Sequence, residues 1–278
     1  MSARPFVKMH GLGNDVVILD GRAAPWPLSP DAARWIADRR RGIGCDQVVV
    51  IGPPENGRAD VSLRFYNADG SEAQACGNGT RCAAALLMDE SGSHEIALET
   101  VAGLLSGTRA SGKRVTVDLG PAQTEWREIP LARACDTLHV PLSLGPLTDP
   151  VAVNMGNPHA VFFVPDVAAI DIAALGPKLE HDPIFPERAN IGIAQVIGRD
   201  HLRLRVWERG AGLTMACGSG ACAAAVAAIR RGLTGRTVAL DLDGGPIEIT
   251  WREADGHVLM TGPVATAFTG IVDLEARE

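Results

Sequence analysis

Short runs of branched apolar residues, each closed off by Gly, Pro or Asp, recur along most of this chain. They fall at 16–19, 47–51, 61–66, 95–100, 115–119, 151–153, 160–164, 193–197, 202–206, 237–242 and 247–251, and their length and bounding residues predict β-strands. Helical patterns are fewer. One is predicted over 29–40, opening on Ser29-Pro30-Asp31 as a cap followed by a first-turn proline. Two more, over 77–89 and 218–230, are Ala-rich and apolar on nearly every face. A helix of that kind in a water-soluble chain must be enclosed, so each is expected to run through the middle of a wrapped sheet. Many short strands with few helices predict an α+β fold rather than a doubly wound parallel sheet.

The pattern is also written twice. LRFYNADGSEAQACGNGTRCAAA at 63–85 returns as LRVWERGAGLTMACGSGACAAAV at 204–226, with Leu63-Arg64 on Leu204-Arg205 and Ala75-Cys76-Gly77 on Ala216-Cys217-Gly218, at a constant offset of 141. Fainter matches at an offset of 143 place Gly13-Asn14 on Gly156-Asn157 and Gln47 on Asn190, while Asn67 meets Glu208 at the original 141. Two copies of one supersecondary unit imply two pseudo-symmetric domains, each a curved, mainly antiparallel sheet around a central apolar helix. A composition shift at 120–124 places the boundary, giving 1–120 and 121–263, with the tail 264–278 returning to the first half.

The duplicated element carries the chemistry. Cys76 and Cys217 each precede a Gly-x-Gly at the start of an Ala-rich helix. Unpaired N–H groups and the positive end of the dipole at such a terminus lower a thiol pKa and bind a carboxylate. The glycines are expected to allow close backbone approach and left-handed torsions. A lone cysteine is more often a small buried hydrophobe, and Cys82 and Cys222, inside the helices, keep that reading, as Cys45 and Cys135 keep no assigned role. The repetition reverses it for Cys76 and Cys217. If the halves face each other, these thiols would stand on opposite sides of one cleft, able to take a proton from one face of a carbon and return one to the other. Thiols that close could also be joined by oxidation into an inactive disulfide. Recurrent amides at Asn14, Gln47, Asn67, Asn157 and Asn190 would line the same cleft, although an Asn after Gly is by itself a common turn residue.

Composition narrows the partner. Of 278 residues 46% are hydrophobic and the net charge is −7, enough apolar material for two cores, and no basic cluster points to nucleic acid or an anionic membrane. A small-molecule substrate is expected. The opening MSARPFVKMHG has no apolar core of a leader, and the longest apolar run is too short to span a bilayer, so a cytoplasmic location with free thiols is expected. Lysine occurs only at 8, 113 and 178, none in a recognisable Schiff-base setting, and no cofactor or metal is expected.

The chain resembles the diaminopimelate epimerase family, the pyridoxal-independent enzymes that interconvert LL- and meso-diaminopimelate for lysine and cell-wall synthesis. The likeness runs through FVKMHGLGND at 6–15, GIGCDQ at 42–47, YNADGSE at 66–72, CGNGTRC at 76–82, NMGNPH at 154–159, NIGIAQ at 190–195, WERGAG at 207–212 and ACGSGAC at 216–222. It implies Cys76 and Cys217 as the two acid/base groups and His159 and Glu208 as residues that set their protonation. Gly77, Asn78, Gly218 and Ser219 would hold the α-carboxylate, with Asn14, Gln47, Asn67, Asn157, Asn190, Glu208 and Arg209 completing the substrate site of a homodimer. Val16, Ser219 and Ala194 depart from residues common in the family without removing a functional group. The neighbouring possibility is another two-cysteine racemase, such as a proline racemase, which the acid-arginine pair at 208–209 disfavours because it suits a longer, doubly charged substrate. A structural zinc module is disfavoured because no Cys-x-x-Cys or His-x-x-x-His spacing occurs.

Overall fold

Strands β1 (Ala3–Gly11), β2 (Asn14–Asp20), β3 (Gln47–Gly52), β4 (Val61–Asn67), β5 (Glu72–Ala73), β6 (Glu95–Thr100), β7 (Gly103–Arg109) and β8 (Arg114–Pro121) build the first half. Helices α1 (Pro30–Ala37) and α2 (Gly77–Ser91) accompany them. The computed structural model describes residues 3–26, 28–55, 57–73 and 76–274; Ala75 of the repeat and the last four residues of the expected returning tail lie outside them. The second half holds β9 (Ser143–Leu144), β10 (Leu147–Thr148), β11 (Val151–Asn154), β12 (Pro158–Phe163), β13 (Asn190–Gly198), β14 (His201–Glu208), β15 (Gly212–Leu213), β16 (Thr237–Leu242), β17 (Gly245–Trp251) and β18 (His257–Pro263), with α3 (Ile172–Glu180) and α4 (Gly218–Arg230). A C-terminal strand, Ala265–Asp273, follows and pairs antiparallel with β1.

The chain divides into two compact units, Met1–Asp118 with Gly262–Glu278, and Leu119–Thr261. The boundaries fall inside β8 and β18, so the linker expected at 120–124 is in part strand.

Within the first unit β1–β2 is antiparallel, β2–β3 parallel, β3–β4 antiparallel, β4–β6 parallel, and β6–β7 and β7–β8 antiparallel. The second unit repeats that sequence of senses through β11, β12, β13, β14, β16 and β17 to β18. The fold is therefore α+β, mainly antiparallel, with the same two parallel pairs in each half. Register carries the repeat to single residues: Val16 pairs with Gln47 as His159 pairs with Asn190, and Val48 pairs with Tyr66 as Ile191 pairs with Trp207.

β2 and β3 are covered on both faces, which is why they read as unbroken apolar runs, whereas strands such as β6, β14, β16 and β18 alternate buried and more open positions. On one face lies the Ala-rich helix; in α4 every residue from Gly220 to Ala228 is buried. Alanine permits that close approach, and the helix presses a strand tightly enough that a Cβ at Gly107 of β7 would stand 2.7 Å from Ala84 Cβ. On the opposite face α1 packs Ala33 and Ile36 over Phe6, Val17, Leu19, Val48 and Val50, while α3 contributes Ile172 and Leu179 to a second core with Phe162, Ile191 and Ile193. Cys45 belongs to the former core, and burial pushes its thiol up to about 12.

Candidate active site

Each half-site starts at a helix N-terminus capped by sulfur. Cys76 is the N-cap of α2 and its Sγ accepts the Gly79 N–H at 3.2 Å; Cys217 is the N-cap of α4 and its Sγ accepts the Gly220 N–H at 3.4 Å. Ser, Thr, Asp or Asn ordinarily supplies this acceptor. The expectation of left-handed glycines is not met: Gly77, Gly79, Gly218 and Gly220 form the first helical turns and none has positive φ. Their requirement is room. A Cβ at Gly220 would lie 2.9 Å from Val206 and 3.2 Å from Cys217 Sγ, and one at Gly79 3.1 Å from Phe65 and 3.2 Å from Val49.

Those contacts also place the amides. Val49 and Phe65 are register partners facing α2, so the partners two residues further along the strands, Gln47 and Asn67, share that face just beyond the helix start. Gln47 Nε2 donates to Asn67 Oδ1 at 2.9 Å, and Gln47 Oε1 is buried with no partner among the described residues. Asn78 Nδ2 donates to Asn14 Oδ1 at 3.1 Å, and Asn14 Nδ2 donates to Asp46 Oδ2 at 3.1 Å. By the same step of two, Glu208 lies beyond Val206 at the start of α4, next to Asn190.

Two charged features of the first half-site were missed in the sequence. Arg81 is fully buried in α2 and donates to Asn78 Oδ1 at 2.8 Å. A guanidinium only donates and a carboxylate only accepts, so Arg81 and Asp46 fix the sense of the whole chain Arg81–Asn78–Asn14–Asp46. Asp46 is gripped in turn by Arg39 at 2.8 Å, which also forms a two-pronged pair with Asp15. Lys8 meets Asp15 at 2.8 Å. Burial would raise the Asp15 carboxyl, but hydrogen bonds from Arg39 and Lys8 outweigh it and hold it well below its usual range. Only the odd GxG-ND and GCDQ spacing hinted at this network, and nothing local reveals that an arginine in an Ala-rich helix points inward.

The second half-site differs in charge. Cys217 is 4% exposed, and burial first and the neighbouring Glu208 carboxylate second push its thiol well above its ordinary value, with Ser219 and the Gly220 N–H pulling less strongly the other way. Ser219 Oγ lies 3.6 Å from the sulfur. Glu208 also accepts from Thr214 Oγ1. His159 is fully buried on β12, with Nε2 2.8 Å from Asn157 Oδ1. That amide oxygen makes Nε2 the donor and leaves Nδ1 a bare lone pair without a partner among the described residues. Burial, reinforced by the Arg209 cation, pulls the His159 pKa from 6.5 to about 3, so the ring is neutral. Asn190 Oδ1 accepts the Arg209 N–H at 2.9 Å, while the Arg209 guanidinium donates to Glu187 O at 2.9 Å.

Among the described residues no group of His, Cys, Asp and Glu is disposed to hold a metal ion, and no helix is long and apolar enough to cross a membrane.

Solved structures share this architecture. A hydroxyproline epimerase from Agrobacterium vitis, with trans-4-hydroxy-L-proline bound, superposes with a TM-score of 0.71 at 15% identity, covering 100% of this chain and 94% of its own. A PhzF-family phenazine biosynthesis protein from Bacillus anthracis gives 0.70 at 14%, covering 98% and 99%. At such identities the likeness concerns the fold. Sequence relatives are much nearer: the diaminopimelate epimerase of Rhodospirillum centenum is 60% identical over 96% of this chain and 91% of its own length, and that of Acidiphilium cryptum 55% over 98% and 97%. The diaminopimelate epimerase family profile matches residues 6–125 and 151–267. With the duplicated fold and both cysteine-capped helices lying inside the matched segments, the chain belongs to the diaminopimelate epimerase family.

Proposed function

We propose that this chain epimerises LL-2,6-diaminopimelate to the meso isomer without an electron-sink cofactor, using Cys76 and Cys217 as a thiolate/thiol pair. The observation that carries this reading is the recurrence, in two units of one topology, of a sulfur-capped helix N-terminus beside amides at matching register positions. An α-proton is far less acidic than a thiol, so abstraction needs the carboxylate charge stabilised as it grows. The N–H groups of Gly77 and Asn78 and of Gly218 and Ser219 would supply that at two dipole ends.

Cys217, buried beside Glu208, keeps its proton in the free enzyme, which leaves Cys76 as the base for one isomer. The Cys76 thiolate takes the α-proton, the electron pair passes toward the carboxylate, and the Cys217 thiol delivers its proton to the opposite face. The products are the inverted centre, a Cys76 thiol and a Cys217 thiolate; the reverse isomer starts from that state. His159, held neutral, adds no second cation near Arg209. Gln47 Oε1 is a ready acceptor for an ammonium, and Arg209 can exchange its carbonyl contact for the bidentate grip of the distal carboxylate. Asn157 and Asn190 hold His159 and Arg209 in place.

A cytoplasmic homodimer completes the proposal. The C-terminal strand pairs only with β1 among the described residues, and it exposes 49% of Phe268 and 74% of Ile271. A second copy of this chain would cover them, and sedimentation of Phe268→Glu as a monomer checks it.

The deciding experiment is incubation of reduced enzyme, without added cofactor, with LL-diaminopimelate in deuterated water. The meso isomer should form carrying one solvent deuterium at the inverted centre, and Cys76→Ala and Cys217→Ala should each stop epimerisation. Full epimerisation by either variant would overturn the two-thiol mechanism, and turnover of hydroxyproline instead would reassign the substrate.

A further inference from the structure

Glu180, at the end of α3, is 4% exposed and has no place in the chemistry above. Burying a carboxylate is costly unless its oxygens are satisfied. Both are: Oε2 accepts the Trp207 indole N–H at 2.8 Å, and Oε1 accepts the Gly210 N–H at 3.0 Å with Arg188 at 3.5 Å. Trp207 and Gly210 are the residues immediately flanking Glu208 and Arg209.

We propose that Glu180 is a positioning residue for the distal end of the substrate: its carboxylate braces both sides of the turn that presents Glu208 and Arg209. The proposal rests on the function given above. Two further observations point the same way. First, α3 is fitted closely to the braced indole, since a Cβ at Gly176 would lie 2.5 Å from Trp207 Cγ. Second, the internal repeat supplies a control. In the first half the same turn carries Asn67 and Ala68 instead of the acid-arginine pair, and at the 143 offset Ala37 stands where the second half has Glu180. Docking the helix on the sheet therefore does not require the carboxylate. The first half ties its helix to the equivalent turn by a different bond, Arg34 Nε to Asp69 O at 3.1 Å. The brace and the pair it flanks occur in the same half and are absent together from the other.

A carboxylate offers acceptors on both oxygens, whereas an amide offers one accepting oxygen and an NH2 group that only donates. Glu180→Gln can therefore serve only one of the two N–H groups. It is expected to raise KM for LL-diaminopimelate about tenfold or more while kcat falls less, as loss of a binding contact present in ground and transition states requires. In a Trp207→Phe background a single oxygen suffices for Gly210, so the Gln replacement should raise KM by less than about threefold, a coupling that the double-mutant cycle reads directly. Trp207→Phe alone, which leaves Gly210 served, is the control for folding. The indole N–H signal of Trp207 and the amide signal of Gly210 should shift in Glu180→Gln without any substrate. Unmoved signals overturn the brace; a KM within twofold of the parent, or an equal effect in both backgrounds, overturns the positioning role. Failure of the parent enzyme to turn over LL-diaminopimelate refutes the functional reading instead, and the resonances still judge the brace.

Discussion

Replacing His159 by glutamine should flatten the loss of stability that the protein suffers in acid. His159 is fully buried, donates from Nε2 to Asn157, and has a pKa pulled from 6.5 to about 3 by burial with help from Arg209. In the unfolded chain the ring titrates normally. Between the two values the unfolded state therefore binds a proton that the folded state refuses, and stability falls as pH drops through 6.5 toward 3. Each pH unit in that window costs about 1.4 kcal/mol, and the whole window about 5 kcal/mol. Glutamine keeps an amide that can donate to Asn157 Oδ1 and has nothing to titrate. Urea unfolding of parent and variant at pH 7, 6, 5 and 4 should thus show the parent losing about 1.4 kcal/mol more per unit between pH 6 and 4. Above pH 7 the two curves should run parallel, so any packing cost of the substitution appears there as a constant offset. Parallel curves throughout, or a His159 ring signal that titrates near 6.5, would refute the neutral, desolvated histidine.

Glu208→Gln removes a carboxylate that raises Cys217, so alkylation of Cys217 by iodoacetamide at pH 8 should be faster in the variant than in the parent; an unchanged rate would show that burial alone sets this thiol. Arg209→Ala should lower kcat/KM for diaminopimelate by orders of magnitude, and near-normal kinetics would remove Arg209 from the site. A Cβ at Gly11 would stand 2.6 Å from the buried Arg81 Nη2, so Gly11→Ala should displace the guanidinium from Asn78; a side-chain amide spectrum of Asn78 and Asn14 identical to the parent's would contradict the Arg81–Asn78–Asn14–Asp46 chain.

Local patterning carried far in this protein where a strand is a short apolar run buried on both faces, as in β2 and β3, or alternates buried with open positions, as in β16. The runs at 16–19, 47–51 and 237–242 lie within observed strands, and the two Ala-rich helices start at the residues expected. Segments with mixed signals were missed. β1 contains Pro5, Lys8 and His10, and it is a strand because it is paired on both sides, with β2 and with the C-terminal strand, while Asp15 on β2 neutralises the buried lysine. β7 contains two glycines, one of them needed for contact with α2. α3 contains Gly176 and Pro177, poor helix formers, yet it forms because Asp171 caps it and Gly176 lets it lie flat on Trp207. The helix expected over 29–40 ends at Ala37, where the chain turns back to bond Gly42 to Asp38.

The sequence by itself determined the duplicated α+β architecture, the two cysteines and the family, because a repeated apolar period and a Cys-Gly-x-Gly turn are properties of neighbouring residues. It also named the amides, since they recur at matching places in the two copies. Only the tertiary structure decided what each of these groups has beside it. That Cys217 lies against Glu208, that Asn14 is held between Asn78 and Asp46, and that His159 is sealed from water depend on strand register and on helices packed across the sheets. Glu180 and Arg81 show the reason most plainly: whether a charged side chain on a helix faces solvent or braces a turn is set by what packs over it, and that partner lies far away in the chain.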